Sequence, residues 1–391
     1  MNSVELFTGA GGLAMGAAKA GFHHLAVIER DKYACDTIRE NQRRNNALVA
    51  DWLLYEGDVR NYDYGAITES IDLVAGGPPC QPFSLGGKHK AFNDDRDMFP
   101  EAVRAIRELK PRAFVFENVK GLTRQSFSTY FSYIYLRLCY PEHVRKDGET
   151  WARHLERLER HHTSGKRSGL SYRVVYRLVN AADYGVPQRR ERVFFVGFRS
   201  DIREEWSFPE PTHTEAALLY EQYVTSDYWD RHKVANRKRL PLPVAKSTVI
   251  ERMRAGEKPK GLPWRTLRDA LVDLSKPTGR SPMSIHNHIF VSGARSYPGH
   301  TGSPLDLPAK TLKAGVHGVP GGENMIAFPD GSVRYLTVRE SARVQTFPDD
   351  FIFHGSWTEN MRQLGNAVPM RLAELVARSV YERLDSTGKA I

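Results

Sequence analysis

Two rhythms of apolar and polar positions alternate along the first half of the chain. Short apolar runs occur at Val4-Glu5-Leu6-Phe7, Leu25-Ala26-Val27-Ile28, Trp52-Leu53-Leu54-Tyr55, Ile71-Asp72-Leu73-Val74-Ala75 and Ala113-Phe114-Val115-Phe116. Such nearly unbroken runs are what strands buried on both faces of a parallel sheet use. Helical stretches lie between them. Residues 13–20 read as a helix stopped by Gly21, and residues 101–106 as a second one with Pro111 after its end. Strand signals resume at residues 172–176 and 192–197. The alternation predicts an α/β fold with a doubly wound sheet.

Residues 122–170 break the rhythm. An aromatic-rich stretch is followed by a dense mix of Arg, Glu and His, which reads as a helical surface insertion with a solvated charged face. Beyond residue 200 the period changes again. Phe208-Pro209-Glu210-Pro211 looks like a linker, residues 231–239 are strongly basic, and glycines and prolines recur from 292 to 334. A second, smaller, loop-rich domain with short strands is expected there. Thr337 reads as the N-cap of a helix that ends before Phe347-Pro348. Gly365-Asn366-Ala367-Val368-Pro369 precedes a terminal amphipathic helix at 370–384. The expected limits are therefore 1–204, 205–333 and 334–391, the last returning to the first domain.

Several stretches carry candidate chemistry. Thr8-Gly9-Ala10-Gly11-Gly12 is a glycine turn between a strand and a helix, where missing side chains let a nucleotide approach the backbone. Glu29, at the end of the second strand, is placed to hold ribose hydroxyls. Asp58 can accept from an adenine amino group, or be an exposed turn aspartate. This half-site suits a nicotinamide dehydrogenase equally well. In Gly76-Gly77-Pro78-Pro79-Cys80-Gln81-Pro82-Phe83-Ser84, two prolines stiffen a loop that carries a thiol at a strand's carboxyl end. Cys80 is a candidate nucleophile there, or a buried inert cysteine. Glu117 ends an apolar strand and could act as an acid or be a satisfied structural group. The arginines of Gln188-Arg189-Arg190-Glu191-Arg192 could hold carbonyl or phosphate oxygens, or form a solvated charge run.

Composition narrows the classes. The 391 residues are 41% hydrophobic and 26% charged, as in ordinary globular proteins, and the net charge of +10 suggests a polyanionic partner. Three cysteines without Cys-x-x-Cys spacing argue against a disulfide framework or a zinc site. His286-Asn287-His288 is not a metal site by spacing, so no metal is expected. No apolar run reaches membrane-spanning length and the N-terminus lacks a signal-peptide pattern, so an intracellular, soluble protein is expected.

The order of these motifs resembles the DNA cytosine-C5 methyltransferase family. The pieces are Phe7-Thr8-Gly9-Ala10-Gly11-Gly12, Pro78-Pro79-Cys80-Gln81, Glu117-Asn118-Val119, Gln188-Arg189-Arg190-Glu191-Arg192, Arg339-Glu340-Ser341-Ala342-Arg343 with Gln345-Thr346-Phe347-Pro348, and Gly365-Asn366-Ala367-Val368. The resemblance implies a Rossmann-like S-adenosylmethionine-dependent methyltransferase domain, with residues 205–333 as a target recognition domain. It implies that Cys80 adds to cytosine C6, that Glu117 acts at N3, that Arg192 holds O2 and that Arg190 is its neighbour in the pocket. Cofactor contacts implied are Phe7, Gly9, Gly11, Glu29, Asp58, Asn366 and Val368, with S-adenosylhomocysteine as product. The target would be a cytosine flipped out of double-stranded DNA. The expected setting is a cytoplasmic, nucleoid-associated monomer, an orphan enzyme or one with a cognate restriction endonuclease. A tRNA cytosine-C5 methyltransferase of the same family is the alternative reading.

Overall fold

A computed structural model describes residues 1–79, 97–165, 169–202, 205–281, 284–315 and 324–388. Contacts divide the chain into two compact units. The first holds residues 1–179, 191–209 and 373–391; the second holds 180–190 and 210–372.

The first unit is built on a seven-stranded sheet. Its strands are β1 (Asn2–Leu6), β2 (His23–Glu29), β3 (Leu54–Glu56), β4 (Leu73–Gly76), β5 (Ala113–Val119), β6 (Tyr172–Asn180) and β7 (Glu191–Arg199). They run in the order β3-β2-β1-β4-β5-β7-β6. The pairs β1–β2, β1–β4, β2–β3 and β4–β5 are parallel, whereas β5 and β7 are antiparallel. Strand order reverses between β1 and β4, and open α/β sheets bind ligands at the carboxyl ends beside such a reversal. The expected doubly wound α/β sheet is therefore present.

Helices α1 (Gly12–Ala20), α2 (Lys32–Arg43), α3 (Phe99–Leu109), α4 (Ser128–Cys139) and α5 (Trp151–Thr163) belong to the same unit. Helix α1 ends at Gly21, whose left-handed φ of 110° closes the cap, as the sequence pattern expects. Gly16 of α1 lies against the chain's last helix, Met370–Gly388: a Cβ there would stand 2.4 Å from that of Ala373. Helix α2 escapes the apolar pattern, because its buried face is Ala34, Cys35, Thr37, Ile38 and Asn41, with only one large aliphatic. Asp31 caps it by accepting from the Ala34 N–H at 3.0 Å.

The expected surface insertion is helical, but it is not a surface element throughout. Tyr130, Tyr133, Ile134 and Leu138 of α4, and Leu155 and Leu158 of α5, join the same apolar core as Val4, Ile28, Phe114 and Phe116 of the sheet. The solvated face is the outer side of α5, where Arg153, Glu156 and Arg160 are exposed.

The second unit has short strands and short helices joined by loops. It carries helices at Glu215–Tyr223, Ser247–Arg254, Val338–Val344 and Trp357–Asn366, with two small sheets. Thr337 caps the helix Val338–Val344 in a capping box: its hydroxyl accepts from the Glu340 N–H, and the Glu340 carboxylate accepts from the Thr337 N–H. Residues 334–372 fall in this unit instead of returning with the sheet. Leu336 and Val344 share an apolar cluster with Leu267, Ala309, Leu312 and Ile326, which accounts for the placement.

One residue at the sheet's centre breaks the usual rule of burial. Glu5 of β1 is 1% exposed, and its Oε2 has no hydrogen-bond partner among the described residues. Desolvation holds its carboxyl well above the ordinary value of 4.5. Stability tied to such a raised group is complete below the unfolded value and is lost as pH rises through the folded one. Glu5→Gln should therefore match the parent protein near pH 4.5 and become the more stable of the two as pH rises. The gap should widen by about 1.4 kcal/mol per pH unit while folded Glu5 keeps its proton. Urea denaturation of both proteins across that range checks this; parallel curves would show that Glu5 ionises freely in the fold.

Candidate active site

The glycine turn after β1 has the backbone that close ligand approach requires. Phe7, Gly9 and Gly11 have left-handed φ values of 54°, 55° and 91°. Thr8 ties the turn to β2, its N–H and its hydroxyl both donating to the Ile28 carbonyl at 3.3 Å. A Cβ built on Gly9 would meet nothing within 4 Å, so the turn has open space beside it. Glu29 organises the same corner. Its Oε2 accepts from the Gly9 N–H at 2.6 Å, and its Oε1 from the N–H groups of Arg30 and Asp31 at 2.8 and 2.7 Å.

Asp58 follows β3. Its Oδ1 accepts from the Arg60 backbone N–H and Nε, each at 3.0 Å, and its Oδ2 from Arg60 Nη2 at 2.6 Å. Those bonds from Arg60 hold its carboxyl down at about 2, so it is an anion at neutral pH. The glycine turn, Glu29 and Asp58 thus stand at the carboxyl ends of three neighbouring strands. Open space at the turn, with acceptors for hydroxyls and an amino group beyond it, fits an adenosyl cofactor.

A second group of residues gathers at the end of β5. Antiparallel register sets Val119 opposite Arg192 and Glu117 opposite Phe194. Glu117 and Arg192 are diagonal neighbours in that ladder, and Arg192 Nε lies 2.7 Å from Glu117 Oε1. Their side chains are only 9% and 13% exposed. Burial lowers the Arg192 pKa from its ordinary value, and the Glu117 carboxylate opposes that shift. An exposed pair, Lys120 Nζ with Glu191 Oε2 at 2.7 Å, flanks the inner one. Gly77 also belongs here, since a Cβ on it would stand 3.3 Å from Glu117 Oε2.

Cys80 lies outside the described residues. The other two cysteines are buried, and desolvation pushes both thiols up to about 12. Neither is a usable thiolate at neutral pH.

Arg190 is the other arginine expected at the pocket. It is fully buried in the second unit, donating from Nη1 to the Leu312 carbonyl at 3.1 Å and from Nη2 to the Gly365 carbonyl at 2.8 Å. Two of its donors hold backbone there. Gln188 and Gln345 complete that network. Gln188 Nε2 donates to Gln345 Oε1 at 3.0 Å, and Gln188 Oε1 accepts from the Leu312 N–H at 2.9 Å. Asn366, exposed, and Val368, buried, belong to the second unit too. Two further residues have roles that the sequence motifs do not announce. Arg60 is one, legible only as a cation two positions after Asp58. Asn118 is the other; its Nδ2 donates to the Pro78 carbonyl at 2.9 Å.

Among the described residues no group of three or more His, Cys, Asp or Glu could hold a metal ion, and no helix is long and apolar enough to cross a membrane.

Comparison with known proteins gives one answer across the chain. The sequence pattern of C-5 cytosine-specific DNA methylase matches residues 1–139 and 154–382. The Type II methyltransferase M.NgoMIV of Neisseria gonorrhoeae is 31% identical over 390 residues, covering 98% of this chain and 97% of the relative. The Type II methyltransferase M.PspPI of a Psychrobacter species is 31% identical over 395 residues, covering 99% and 80%. Among solved structures, the Dnmt2 methyltransferase of S. pombe shares the fold, with a TM-score of 0.56 at 15% identity over 99% of both chains.

The cysteine environments make a direct expectation. Iodoacetamide at neutral pH should leave Cys35 and Cys139 of the native protein unmodified and label them only after denaturation. Peptide mass mapping reads this, and native labelling of either one would show that its thiol reaches solvent.

Proposed function

This chain belongs to the C-5 cytosine-specific DNA methylase family, and from that premise we propose how its own residues carry the reaction. It is a DNA cytosine-C5 methyltransferase. Cytosine C5 is a poor nucleophile, so the Cys80 thiolate first adds to C6. Glu117 hydrogen-bonds or protonates N3 and stabilises the enamine as it forms; Arg192 donates to O2. S-adenosylmethionine, when bound, supplies the methyl group to C5. The C5 proton then leaves, the Cys80–C6 bond breaks, and 5-methylcytosine is released. Phe7, Gly9, Gly11, Glu29 and Asp58 would hold the cofactor's adenosyl part.

The single observation behind these roles is the Glu117–Arg192 pair at 2.7 Å. Cytosine presents N3 and O2 side by side, and a carboxyl next to a guanidinium offers one group to each. The inert environments of Cys35 and Cys139 support Cys80 as nucleophile. Arg190 acts through the backbone it holds. The basic stretch at 231–239 contributes unevenly: Arg231 pairs with Glu221 and Arg239 with Asp230, while Lys233, Arg237 and Lys238 are exposed. Those three meet DNA phosphates. We place the enzyme in the cytoplasm as a monomer on duplex DNA, where a cognate endonuclease would act on the same site.

Fluorine at C5 tests the covalent route. DNA with 5-fluorocytosine at the target should allow addition and methyl transfer but not elimination, because fluorine will not leave as a cation. A denaturant-resistant adduct should form, dependent on S-adenosylmethionine and mapping to Cys80. Glu117→Gln should slow its formation by about a hundredfold, the usual scale of acid–base assistance. An adduct on another cysteine would overturn the assignment; methylation of tRNA and not of duplex DNA would favour the rival substrate. Neutralising Lys233, Arg237 and Lys238 together should weaken binding to every DNA sequence. It should also flatten the salt dependence, by about one unit of slope for each phosphate that no longer meets a cation. A change in the methylated site would show that they read bases.

A further inference from the structure

The segment that carries Cys80 joins the described structure at Pro79 on one side and Asp97 on the other. Both junctions are tied down. At the first, Asn118 Nδ2 donates to the Pro78 carbonyl at 2.9 Å. Its Oδ1 accepts from the Val119 N–H at 2.9 Å, which fixes the direction of the amide. The Met98 N–H then donates to the Pro79 carbonyl at 3.1 Å, so the two junctions are bonded to each other. At the second, Asp97 Oδ1 accepts from the Phe99 N–H at 3.2 Å, and Asp97 Oδ2 accepts from the hydroxyl of Tyr130. Met98 and Phe99 are buried beneath.

Tyr130 is the informative member. It lies on α4, in the stretch that reads from sequence as an insertion, and its ring is 3% exposed in the core. A core aromatic needs no hydroxyl for packing; the phenol oxygen instead reaches the residue at the foot of the Cys80 segment. We propose that Tyr130 is a positioning residue for methyl transfer: by holding Asp97 against α4 it steadies the adjoining Met98, whose N–H donates to the carbonyl of Pro79, the residue that precedes Cys80. The inference rests on the nucleophile assigned under Proposed function. The phenol is buried in the core on Asp97, so its loss acts on the covalent step through geometry. Displacements of an ångström at a reacting group cost about a hundredfold in rate.

Tyr130→Phe removes the hydroxyl and keeps the ring. It should lower kcat and the rate of 5-fluorocytosine trapping by a common factor of about ten or more. KM for DNA, affinity for S-adenosylhomocysteine by calorimetry, and Tm should stay near the parent values. Asp97→Ser keeps a short acceptor for the Phe99 N–H but cannot reach the phenol, so it should show the same loss. The double variant should fall no further than either single one, because both remove one interaction. Tyr133→Phe is the control. It sits on the same helix, its phenol paired with His154 Nδ1 at 2.8 Å, and it should leave trapping unchanged. Parent-like trapping by Tyr130→Phe, or a fall accompanied by equal losses of Tm and cofactor affinity, would overturn the positioning role. A parent enzyme that forms no adduct would instead overturn the nucleophile assignment, and this inference with it. Should Tyr130→Phe fail to fold, Asp97→Ser decides alone.

Discussion

A guanidinium removed from water must find acceptors for its N–H groups, because an unpaired buried charge costs several kcal/mol. Among the described residues Arg192, Arg190 and Arg339 are in that position, and each organises its surroundings by where it finds them. Arg192 finds the Glu117 carboxylate across the β5–β7 ladder. Arg190 finds the carbonyls of Leu312 and Gly365, residues far along the chain. Arg339 is fully buried and finds the carbonyls of His286, Pro348 and Phe351. Carbonyl partners make a guanidinium a clamp on backbone. A carboxylate partner makes a charged pair between two side chains. That difference separates Arg192 from Arg190, although they lie two residues apart in one motif.

The backbone around the Arg190 clamp is packed tightly enough to make the clamp necessary. A Cβ on Gly365 would stand 2.2 Å from the Ala314 nitrogen, so the two segments touch backbone to backbone. Gln345 adds to the same junction, its amide donating to the carbonyls of Leu364 and Ala367. These bonds join residues 188–190, 312, 345 and 364–367 into one piece of the second unit. Motifs widely separated in sequence are thereby held by side chains that are all polar and all buried.

Much of this was legible in the sequence where the signal is local. The turn through Gly9 and Gly11 follows from the spacing of glycines after an apolar run, and the capped helix at Thr337 from a hydroxyl three residues before Glu340. The position of Glu29 at a strand end was legible as well. What stayed hidden depends on distant partners. Nothing local to Arg190 names Leu312 or Gly365, and nothing local to Tyr130 names Asp97. Helix α2 was hidden for another reason: its buried face is mostly small or polar, so no apolar stripe marks it. The placement of residues 334–372 followed from Leu336 and Val344 packing on Leu267 and Leu312, neighbours that no periodicity reveals.

Three glutamates of the sheet show how one side chain takes different roles according to its partners. Glu5, in mid-strand, has apolar strands on both sides, facing Val27 and Ala75 across the ladder, and burial pushes its pKa well above the ordinary value. Glu29 ends β2, where three backbone N–H groups donate to it, and one of them, from Gly9, belongs to the glycine turn. Glu117 lies near the end of β5, where the antiparallel neighbour brings a guanidinium within reach. A strand interior offers a carboxyl no unpaired donors, because the ladder uses them; a strand end offers the N–H groups of the next turn or a side chain from the adjacent strand. Partners for a carboxylate therefore gather at strand ends, where Glu29 meets the N–H groups of the next turn and Glu117 the guanidinium of the adjacent strand.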